Sequence, residues 1–316
     1  KEGFFRMSYL KFFGLNMEPF SNVAVCKFYY NSPRHAKALA KLTYAVDSMK
    51  GLALLVGNIG AGKTTLARKF LDSLPEERYE AALIVMVHSS ITADWLLKKI
   101  AQQMGIEEPP SDKLTLLGQL YERLVSIHES GRKAVVLVDE AQMLQTRELM
   151  EEFRGLLNLE VDDNRLITFI FFGLSEVDQN LKLDEPLAQR VALRVNLEAM
   201  DIKETEAYIK HRLAMAGNDS ILFTEKAIAI IYRYSNGIPR LINTMCDNAL
   251  LEAFLLKKKE IDEELLMSVL EDLGFNLKTP GPSRPSVQPG KSEGKGSYAS
   301  EELDDVDLIF QGLEAK

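Results

Sequence analysis

The sequence has few of the residues that build disulfide frameworks or metal sites. Its 316 residues include two cysteines, Cys26 and Cys246, and four histidines. The cysteines lie far apart without Cys-x-x-Cys spacing, and no two histidines are spaced as metal ligands, so neither a disulfide nor a zinc site is predicted. Unpaired cysteines are typical of a reducing compartment, and we expect a cytoplasmic protein.

Long hydrophobic runs are absent as well. The longest, Leu166–Phe172, is far shorter than the roughly 20 residues that a membrane-spanning helix needs. The N-terminal residues are basic and aromatic and lack the apolar stretch of a secretory signal. We therefore expect no transmembrane segment, with any association with an inner membrane made through partner proteins.

The sequence also has fewer positively than negatively charged residues. Lys and Arg total 38 against 46 Asp and Glu, a formal net charge of −8. Bulk charge of this sign does not favour nucleic acid or an anionic membrane. However, residues 301–316 hold six acidic residues and one lysine, which leaves residues 1–300 at −3. The net charge therefore argues only weakly against DNA binding.

The sequence does contain short apolar runs that alternate with helical periodicity. The predicted strands are Gly51–Gly57, Ala82–Val87, Ala134–Val138, Leu166–Phe172 and Ala192–Leu197. Such alternation predicts a doubly wound parallel sheet. After about residue 200 the pattern is helical only, over 203–216, 224–235, 238–257 and 262–273. We expect an α/β core over residues 1–200 and an all-α domain over 201–276.

The C-terminal residues differ in composition. Residues 279–300 contain four Pro, four Gly and five Ser, so we expect a flexible linker over 277–300. The acidic tail 301–316 carries a stripe with helical spacing, formed by Leu303, Val306, Phe310 and Leu313. This stripe could dock on a partner protein, and the alternative is a tail that only improves solubility.

The segment Gly57-Asn-Ile-Gly-Ala-Gly-Lys-Thr64 matches the phosphate-loop pattern Gly-x4-Gly-Lys-Ser/Thr, between a predicted strand and a predicted helix. In this context backbone N–H groups and the helix N-terminus bind phosphate. We expect Lys63 to reach the β- and γ-phosphates of ATP and Thr64 to bind Mg²⁺. The predicted nucleotide contacts are Gly57, Asn58, Gly60, Ala61, Gly62, Lys63, Thr64 and Thr65.

An acidic pair, Asp139-Glu140, follows the predicted strand 134–138. Carboxylates at the end of a strand in a parallel sheet lie at its ligand-binding edge. We expect Asp139 to bind Mg²⁺ and Glu140 to activate the attacking water. A helix cap or solvated turn is the alternative for an isolated pair. The glutamate next to Asp139 favours an ATPase over a GTPase. The absence of a guanine-binding Asn-Lys-x-Asp motif from the sequence supports the same choice.

Three arginines could contact a γ-phosphate. Arg190 and Arg194 flank the start of the fifth predicted strand, and either could reach the nucleotide of a neighbouring subunit or form a surface ion pair. Arg240, in Gly237-Ile-Pro-Arg240, opens a helix of the all-α domain, and its alternative is a solvated helix start.

Together these motifs resemble the AAA+ ATPases of the general secretion pathway protein A (ExeA-like) group, over about residues 8–274. Besides the phosphate loop, the matching segments are Tyr9–Leu15, Pro19-Phe20, Asp139–Gln142, Leu187–Arg190, Tyr208–Leu213 and Gly237–Asn243. The resemblance implies a RecA-like P-loop NTPase core with a helical lid, ATP hydrolysis with Mg²⁺, and a homo-oligomer.

Carried over by position, the resemblance implies that Arg190 is the arginine finger and Arg240 the second sensor. It also implies that Phe12–Phe20 packs near the adenine, where packing into an N-terminal core is the alternative. One position departs from the family. Members usually have Gly-Gln after the fourth strand, whereas this chain has Gly173-Leu174, so the polar side chain of the first sensor is missing.

Three functions fit these observations. The first is an ATPase that powers or regulates assembly of a bacterial envelope machine for secretion, pilus formation or export. The second is a nucleotide-gated DNA-binding regulator of the transposition (TniB-like) type, for which Lys257–Lys259 is the one basic run. The third is a slow nucleotide switch, suggested by Leu174.

Overall fold

A computed structural model describes residues 9–23 and 26–275 of the chain. The predicted linker, 277–300, and the predicted acidic tail, 301–316, lie outside the described residues. Within the described ranges, every helix is too short or too polar to cross a membrane.

Strands and helices alternate through the first two thirds of the chain, and helices follow. The strands are β1 (Leu52–Gly57), β2 (Tyr79–Val85), β3 (Lys133–Asp139), β4 (Glu160–Val161), β5 (Asn164–Arg165), β6 (Ile167–Gly173) and β7 (Val191–Leu197). The first helices are α1 (Pro33–Asp47), α2 (Lys63–Asp72), α3 (Ala93–Gln103), α4 (Lys113–Glu129), α5 (Arg147–Leu156), α6 (Val177–Leu181) and α7 (Glu185–Ala188). The later helices are α8 (Ile202–Met215), α9 (Glu225–Ser235), α10 (Pro239–Leu255) and α11 (Glu263–Asp272).

Five strands form one parallel sheet in the order β2-β3-β6-β1-β7. All five run in the same direction, so their carboxyl ends meet at a single edge of the sheet. Gly57, Asp139 and Gly173 end their strands there. Ligands of open α/β sheets bind outside this edge, and the strand order thus brings three separate segments of sequence to one place.

The parallel sheet flanked by helices is confirmed, but the second strand was predicted too far along the chain. It covers Tyr79–Val85 rather than 82–87. Tyr79 is buried and packs with the helices on one face of the sheet. The strand therefore begins earlier than the apolar run in the sequence suggests. Beyond the strand, the N–H of Met86 still donates to the Asp139 carbonyl, while Val87 is 76% exposed.

Several elements were not predicted, among them the short helices α6 and α7, the β4–β5 hairpin and helix α1. The β4–β5 hairpin is very short, and its turn places Asp162 and Asp163 at positive φ, as a tight two-residue turn requires. Helix α1 carries recognisable start features, because Ser32 caps it and Pro33 occupies its first turn.

Both faces of the sheet are covered by helices. One face packs against α3, α4 and α5, with Leu97, Leu120 and Phe153 among the buried side chains. The other face packs against α1 and α2, through residues such as Leu42 and Phe70. The sheet is buried on both sides, which explains why its central strands read as continuous apolar runs.

The helical domain has a core of its own, formed by α8 to α11. Phe13, Phe20 and Phe28 are buried in this core and not against the sheet. The N-terminal segment therefore packs with helices that come some 200 residues later, although its sequence position places it beside the α/β core.

The two parts meet at Gly237, just before α10. The N–H of Met200 donates to the Gly237 carbonyl at 3.0 Å, and Gly237 has a φ of +71°. A Cβ at Gly237 would lie 1.9 Å from the Met200 carbonyl oxygen. No residue with a side chain fits here without moving one of the two chain segments.

We expect Gly237→Ala to lower the free energy of unfolding by about 3 kcal/mol or more, because the new methyl group collides with backbone at a left-handed position. Chemical denaturation followed by circular dichroism would measure this. Gly118→Ala is the matched control. It lies inside α4, where a Cβ meets no heavy atom of the described residues within 4 Å, and should raise stability by up to ~1 kcal/mol. Similar stability for Gly237→Ala and wild type would contradict the packing argument.

His35 makes the first turn of α1 sensitive to pH. Its ring is buried, lies 2.7 Å from the Ser32 hydroxyl through Nδ1, and packs edge-on against Tyr29. Burial lowers the pKa of His35 from 6.5 to about 4. Between those values the unfolded chain takes up a proton at this residue and the folded chain does not, so stability falls as pH falls from 6.5 towards 4.

This difference amounts to as much as ~3 kcal/mol at about 1.4 kcal/mol per pKa unit. We expect His35→Gln to remove that part of the pH dependence, seen as a shallower loss of unfolding free energy between pH 6.5 and 4.5. His88→Gln changes an exposed histidine and should follow the wild-type slope. Parallel slopes for His35→Gln and wild type would exclude His35 as the source.

Candidate nucleotide site

The phosphate loop connects β1 to α2 at the carboxyl edge of the sheet. Gly60 and Gly62 have φ values of +77° and +96°, and Gly62 is the N-cap of α2 without a capping bond from a described side chain. A Cβ at Gly57 would lie 2.9 Å from the Leu197 carbonyl oxygen. The glycines thus allow a tight loop whose backbone N–H groups face an anion at a helix N-terminus.

Lys63 folds back over this loop. Its ammonium donates to the carbonyls of Gly57 and Asn58, both at 3.0 Å, and the residue is only 7% exposed. Burial lowers the pKa of Lys63, while the nearby carboxylates of Glu140 and Asp139 oppose that shift. The amine is therefore positioned by backbone acceptors and not by a salt bridge, which leaves its charge available to a phosphate.

Asp139 is fully buried where β3 ends. Its Oδ1 accepts the Glu140 N–H at 3.0 Å, and its carboxylate also hydrogen-bonds with Thr64. Its Oδ2 has no hydrogen-bond partner among the described residues. Burial raises the pKa of Asp139, which is the cost of holding a carboxylate away from water.

This donor set fits a magnesium ion. Mg²⁺ prefers oxygen ligands and is usually bound by one or two protein groups together with substrate phosphates and water. A buried carboxylate oxygen without a protein partner, beside the Thr64 hydroxyl, offers such ligands. A bound cation would also offset the desolvation of Asp139.

Glu140 adopts an unusual backbone conformation, with a φ of +56°. Non-glycine residues at positive φ are uncommon and concentrate at functional sites. The turn directs the Glu140 side chain into the cleft, where its carboxylate accepts a hydrogen bond from the Gln142 amide.

The cleft itself has a volume of about 510 Å³ and lies between the sheet edge and the helical domain. That volume is within the ~300–1,000 Å³ typical of small-molecule sites. Its walls come from the N-terminal segment, the first turn of α1, the phosphate loop, the ends of β3 and β6, the connection before α8, and helices α8 and α10.

Most of the predicted contacts meet in this cleft. The predicted residues that line it are Gly60, Ala61, Gly62, Lys63, Thr64, Thr65, Glu140 and Arg240. Gly57 and Asn58 hold Lys63 through their carbonyls, and Asp139 lies directly behind Thr64. The Arg240 N–H donates to the Gly60 carbonyl at 3.3 Å, so the start of α10 rests on the phosphate loop.

The part of the cleft wall formed by the N-terminal segment is aromatic and polar. Phe13 and Phe20 are buried in the helical core, and it is the residues after them, Ser21–Val23 and Phe28–Tyr30, that line the cleft. The segment that we expected near the adenine, Phe12–Phe20, therefore packs into the helical core, which was the alternative. The residues that follow it form the cleft wall.

Arg212 holds this wall in place. Its guanidinium donates to the Pro19 and Ser21 carbonyls, to the Tyr208 hydroxyl and to the Asn243 side chain. It is buried, and none of these partners is a carboxylate. Sequence reasoning did not assign a role to Arg212. Its position in Tyr208–Leu213, one of the segments that match the family, was the available indication.

Arg190 lies at the opposite end of the strands from the phosphate loop, where β7 begins. It precedes Val191, which pairs with Leu52 at the start of β1, whereas the phosphate loop begins at Gly57. Five residues of strand separate the two ends, roughly 16 Å. Arg190 is half-buried and donates to the Arg154 carbonyl at 3.3 Å. It is therefore not part of its own chain's cleft.

Arg194 is engaged elsewhere. It forms an ion pair with Asp178 of α6 at 2.8 Å on the surface of the protein. This agrees with the surface ion pair that was the alternative for Arg194. Of the two arginines, Arg190 therefore has fewer contacts with charged side chains of the described residues.

Leu174 follows β6 and contributes to the cleft wall, so an apolar side chain occupies the position of the first sensor. Its backbone N–H donates to Gln142 Oε1 at 3.1 Å. Gln142 thus contacts both Leu174 and Glu140, although sequence reasoning gave it no function.

Comparison with known proteins agrees with this geometry. A family model described as an AAA domain matches residues 46–181. General secretion pathway protein A of Aeromonas hydrophila is 39% identical over 249 residues, which cover 78% of this chain and 45% of that protein. The chain therefore spans less than half the length of this relative.

Two solved structures share the fold at low sequence identity. CDC6P from Pyrobaculum aerophilum superposes with a TM-score of 0.60 at 18% identity, over 80% of this chain and 70% of that chain. The ORC2 protein of Aeropyrum pernix gives 0.59 at 17% identity, over 78% and 71%. The phosphate loop at the sheet edge, the AAA domain match and the 39% identity agree, and we conclude that the chain belongs to the AAA+ family, in the group of general secretion pathway protein A.

Proposed function

We propose that this protein binds ATP with Mg²⁺ and hydrolyses it to ADP and inorganic phosphate. The observation that carries the proposal is the meeting of four groups at one edge of the sheet. The Lys63 ammonium, the Thr64 hydroxyl and the Glu140 carboxylate line the cleft, and the buried Asp139 carboxylate lies behind Thr64. They are the cation, the two metal ligands and the base that phosphoryl transfer to water requires.

Each group has a separate task. The phosphate-loop N–H groups and Lys63 bind the β- and γ-phosphates, and Thr64 and Asp139 hold the metal. Mg²⁺ held there would supply positive charge that offsets the negative charge on the phosphates during transfer. Arg240 extends from the helical domain over the phosphate loop, so a nucleotide at the loop contacts both parts of the protein.

Glu140 acts on the water. As the water oxygen attacks the γ-phosphorus, a water proton passes to the Glu140 carboxylate. The bond from the γ-phosphorus to the β–γ bridging oxygen breaks, and its electron pair stays with ADP. A carboxylate positioned within hydrogen-bond reach of the water can contribute roughly 10²–10⁴-fold to such a step.

Arg190 supports a proposal of self-association. It lies roughly 16 Å from its own phosphate loop, as judged from strand length, so it can contact the γ-phosphate only of another copy. We assign it the role of an arginine finger supplied in trans, which makes the active form a homo-oligomer. An added positive charge at the transferring phosphoryl group raises the rate by roughly 10³–10⁵-fold in enzymes that use one.

The role of the ATPase is proposed from its relative. The 39% identity with general secretion pathway protein A supports an ATPase that powers or regulates assembly of an envelope secretion, pilus or export machine. The DNA-binding regulator is tested by a gel-shift assay. Retention of DNA that falls steeply with salt would overturn the envelope function, and no retention at low salt would leave it in place.

We expect Glu140→Gln to abolish steady-state ATP hydrolysis, by about 10²-fold or more, while ATP affinity stays within about twofold of wild type. The substitution removes the proton acceptor and keeps the size of the side chain. Phosphate release and binding of a fluorescent ATP analogue measure the two properties. Glu148→Gln, at an exposed glutamate in the first turn of α5, should leave turnover unchanged. Wild-type turnover in Glu140→Gln would refute the assignment of the base.

Mixing two inactive variants tests the role of Arg190. Arg190→Ala keeps an intact phosphate loop but donates no finger, and Lys63→Ala binds nucleotide poorly but still carries Arg190. We expect each to be inactive alone and their mixture to recover a substantial part of the wild-type ATPase rate, because mixed oligomers contain complete sites. Arg194→Ala is the matched control and should keep its activity. A mixture no more active than its components would exclude a finger in trans.

A further inference from the structure

The carboxylate that we assign as the base is held by a second side chain. Gln142 Nε2 donates to Glu140 Oε2, and Gln142 Oε1 accepts the Leu174 N–H at 3.1 Å. The amide therefore bridges the end of β3 to the end of β6, across segments that are 32 residues apart in the chain.

The partners of Gln142 determine the orientation of its amide. A backbone N–H can only donate and an ionised carboxylate can only accept. The oxygen must therefore face Leu174 and the NH₂ group must face Glu140. No flipped arrangement satisfies both neighbours, so the bridge has one geometry.

The surroundings leave Gln142 little freedom. The residue is 8% exposed, and its own carbonyl accepts a hydrogen bond from Asn180 Nδ2 at 2.9 Å. Gly173 lies against it, since a Cβ there would be 3.0 Å from Gln142 Oε1 and 2.4 Å from Val177 Cγ2. A buried amide with both ends satisfied is a rigid support for a flexible glutamate.

The bridge also compensates for Leu174. An apolar side chain at this position can neither bind the γ-phosphate nor orient a water. Its polar groups are those of the backbone: the carbonyl accepts the Val177 N–H, and the N–H donates to Gln142 Oε1. The polar side chain that contacts the end of β6 thus comes from the turn after β3, and it reaches the cleft only through Glu140.

We propose that Gln142 is a positioning residue for hydrolysis, which fixes the Glu140 carboxylate against the end of β6 in place of the polar side chain that Leu174 lacks. This inference rests on the proposed ATPase activity. Gln142 acts through Glu140 and not on the nucleotide, so its removal lowers the rate of the chemical step and leaves ATP binding unchanged.

The first test separates kcat from KM. We expect Gln142→Ala to lower kcat by about 10- to 100-fold, part of the contribution of a well-placed base, with KM and ATP-analogue affinity within about twofold of wild type. Gln179→Ala, at an exposed glutamine of α6, should retain the wild-type kcat. Loss of ATP affinity equal to the loss of kcat, or an unchanged kcat, would overturn the proposal.

A double-mutant cycle then asks whether Gln142 acts through Glu140. In single-turnover hydrolysis, Gln142→Ala should slow the wild-type protein but add at most about twofold to the loss in Glu140→Gln, because the carboxylate that it positions is already gone. Equal fold-losses in both backgrounds would show that Gln142 works independently of Glu140, contrary to the proposal.

Gln142→Glu keeps the size of the side chain should the alanine variant fold poorly. An ionised glutamate can only accept hydrogen bonds, so it can contact the Leu174 N–H but cannot donate to Glu140. We expect its kcat to fall about as far as that of Gln142→Ala, with ATP-analogue affinity within about twofold of wild type. A wild-type kcat would overturn the proposal, whereas absence of ATP hydrolysis in the wild-type protein would instead overturn the proposed function.

Discussion

The contact between the phosphate loop and the first turn of α10 determines the shape of the whole site. The Arg240 N–H donates to the Gly60 carbonyl, and a Cβ on Gly60 would come within 2.7 Å of Arg240 Cβ. Glycine at position 60 is required both for its positive φ and for this close approach. Without it the helical domain could not close one side of the cleft, and the nucleotide would contact only the sheet edge.

The electrostatics of the cleft follow from this enclosure. Burial raises the pKa of Asp139 and lowers that of Lys63, so each group is held in an environment that disfavours its own charge. In the proposed complex, the phosphates and a divalent cation would together supply the missing opposite charges. The same closure explains why Arg212 is buried. It holds the carbonyls of the N-terminal segment against the helical domain and so completes the wall facing the phosphate loop.

Gln142 illustrates how a fold tolerates a departure in one of its motifs. The apolar Leu174 suggests a defective sensor when it is considered alone. In the structure the Leu174 N–H donates to the oxygen of the Gln142 amide, and the NH₂ group of the same amide donates to the Glu140 carboxylate. A polar function can therefore move to a neighbouring strand while the strand order keeps the two positions in contact. This view favours a working ATPase over the slow switch that Leu174 suggested.

Sequence alone determined the features that depend on neighbours along the chain. The phosphate loop, the acidic pair and most helix bounds were predictable because glycine spacing, apolar periodicity and capping act within a few residues. Only the tertiary structure decided which segments meet. The parallel pairing of β7 with β1 places Arg190 at the opposite end of the strands from Gly57. Strand order brings Gln142 beside Leu174, and packing joins Phe20 to the helical core. Local periodicity carries no information on these contacts, because it records which face of a strand or helix is buried and not what covers it.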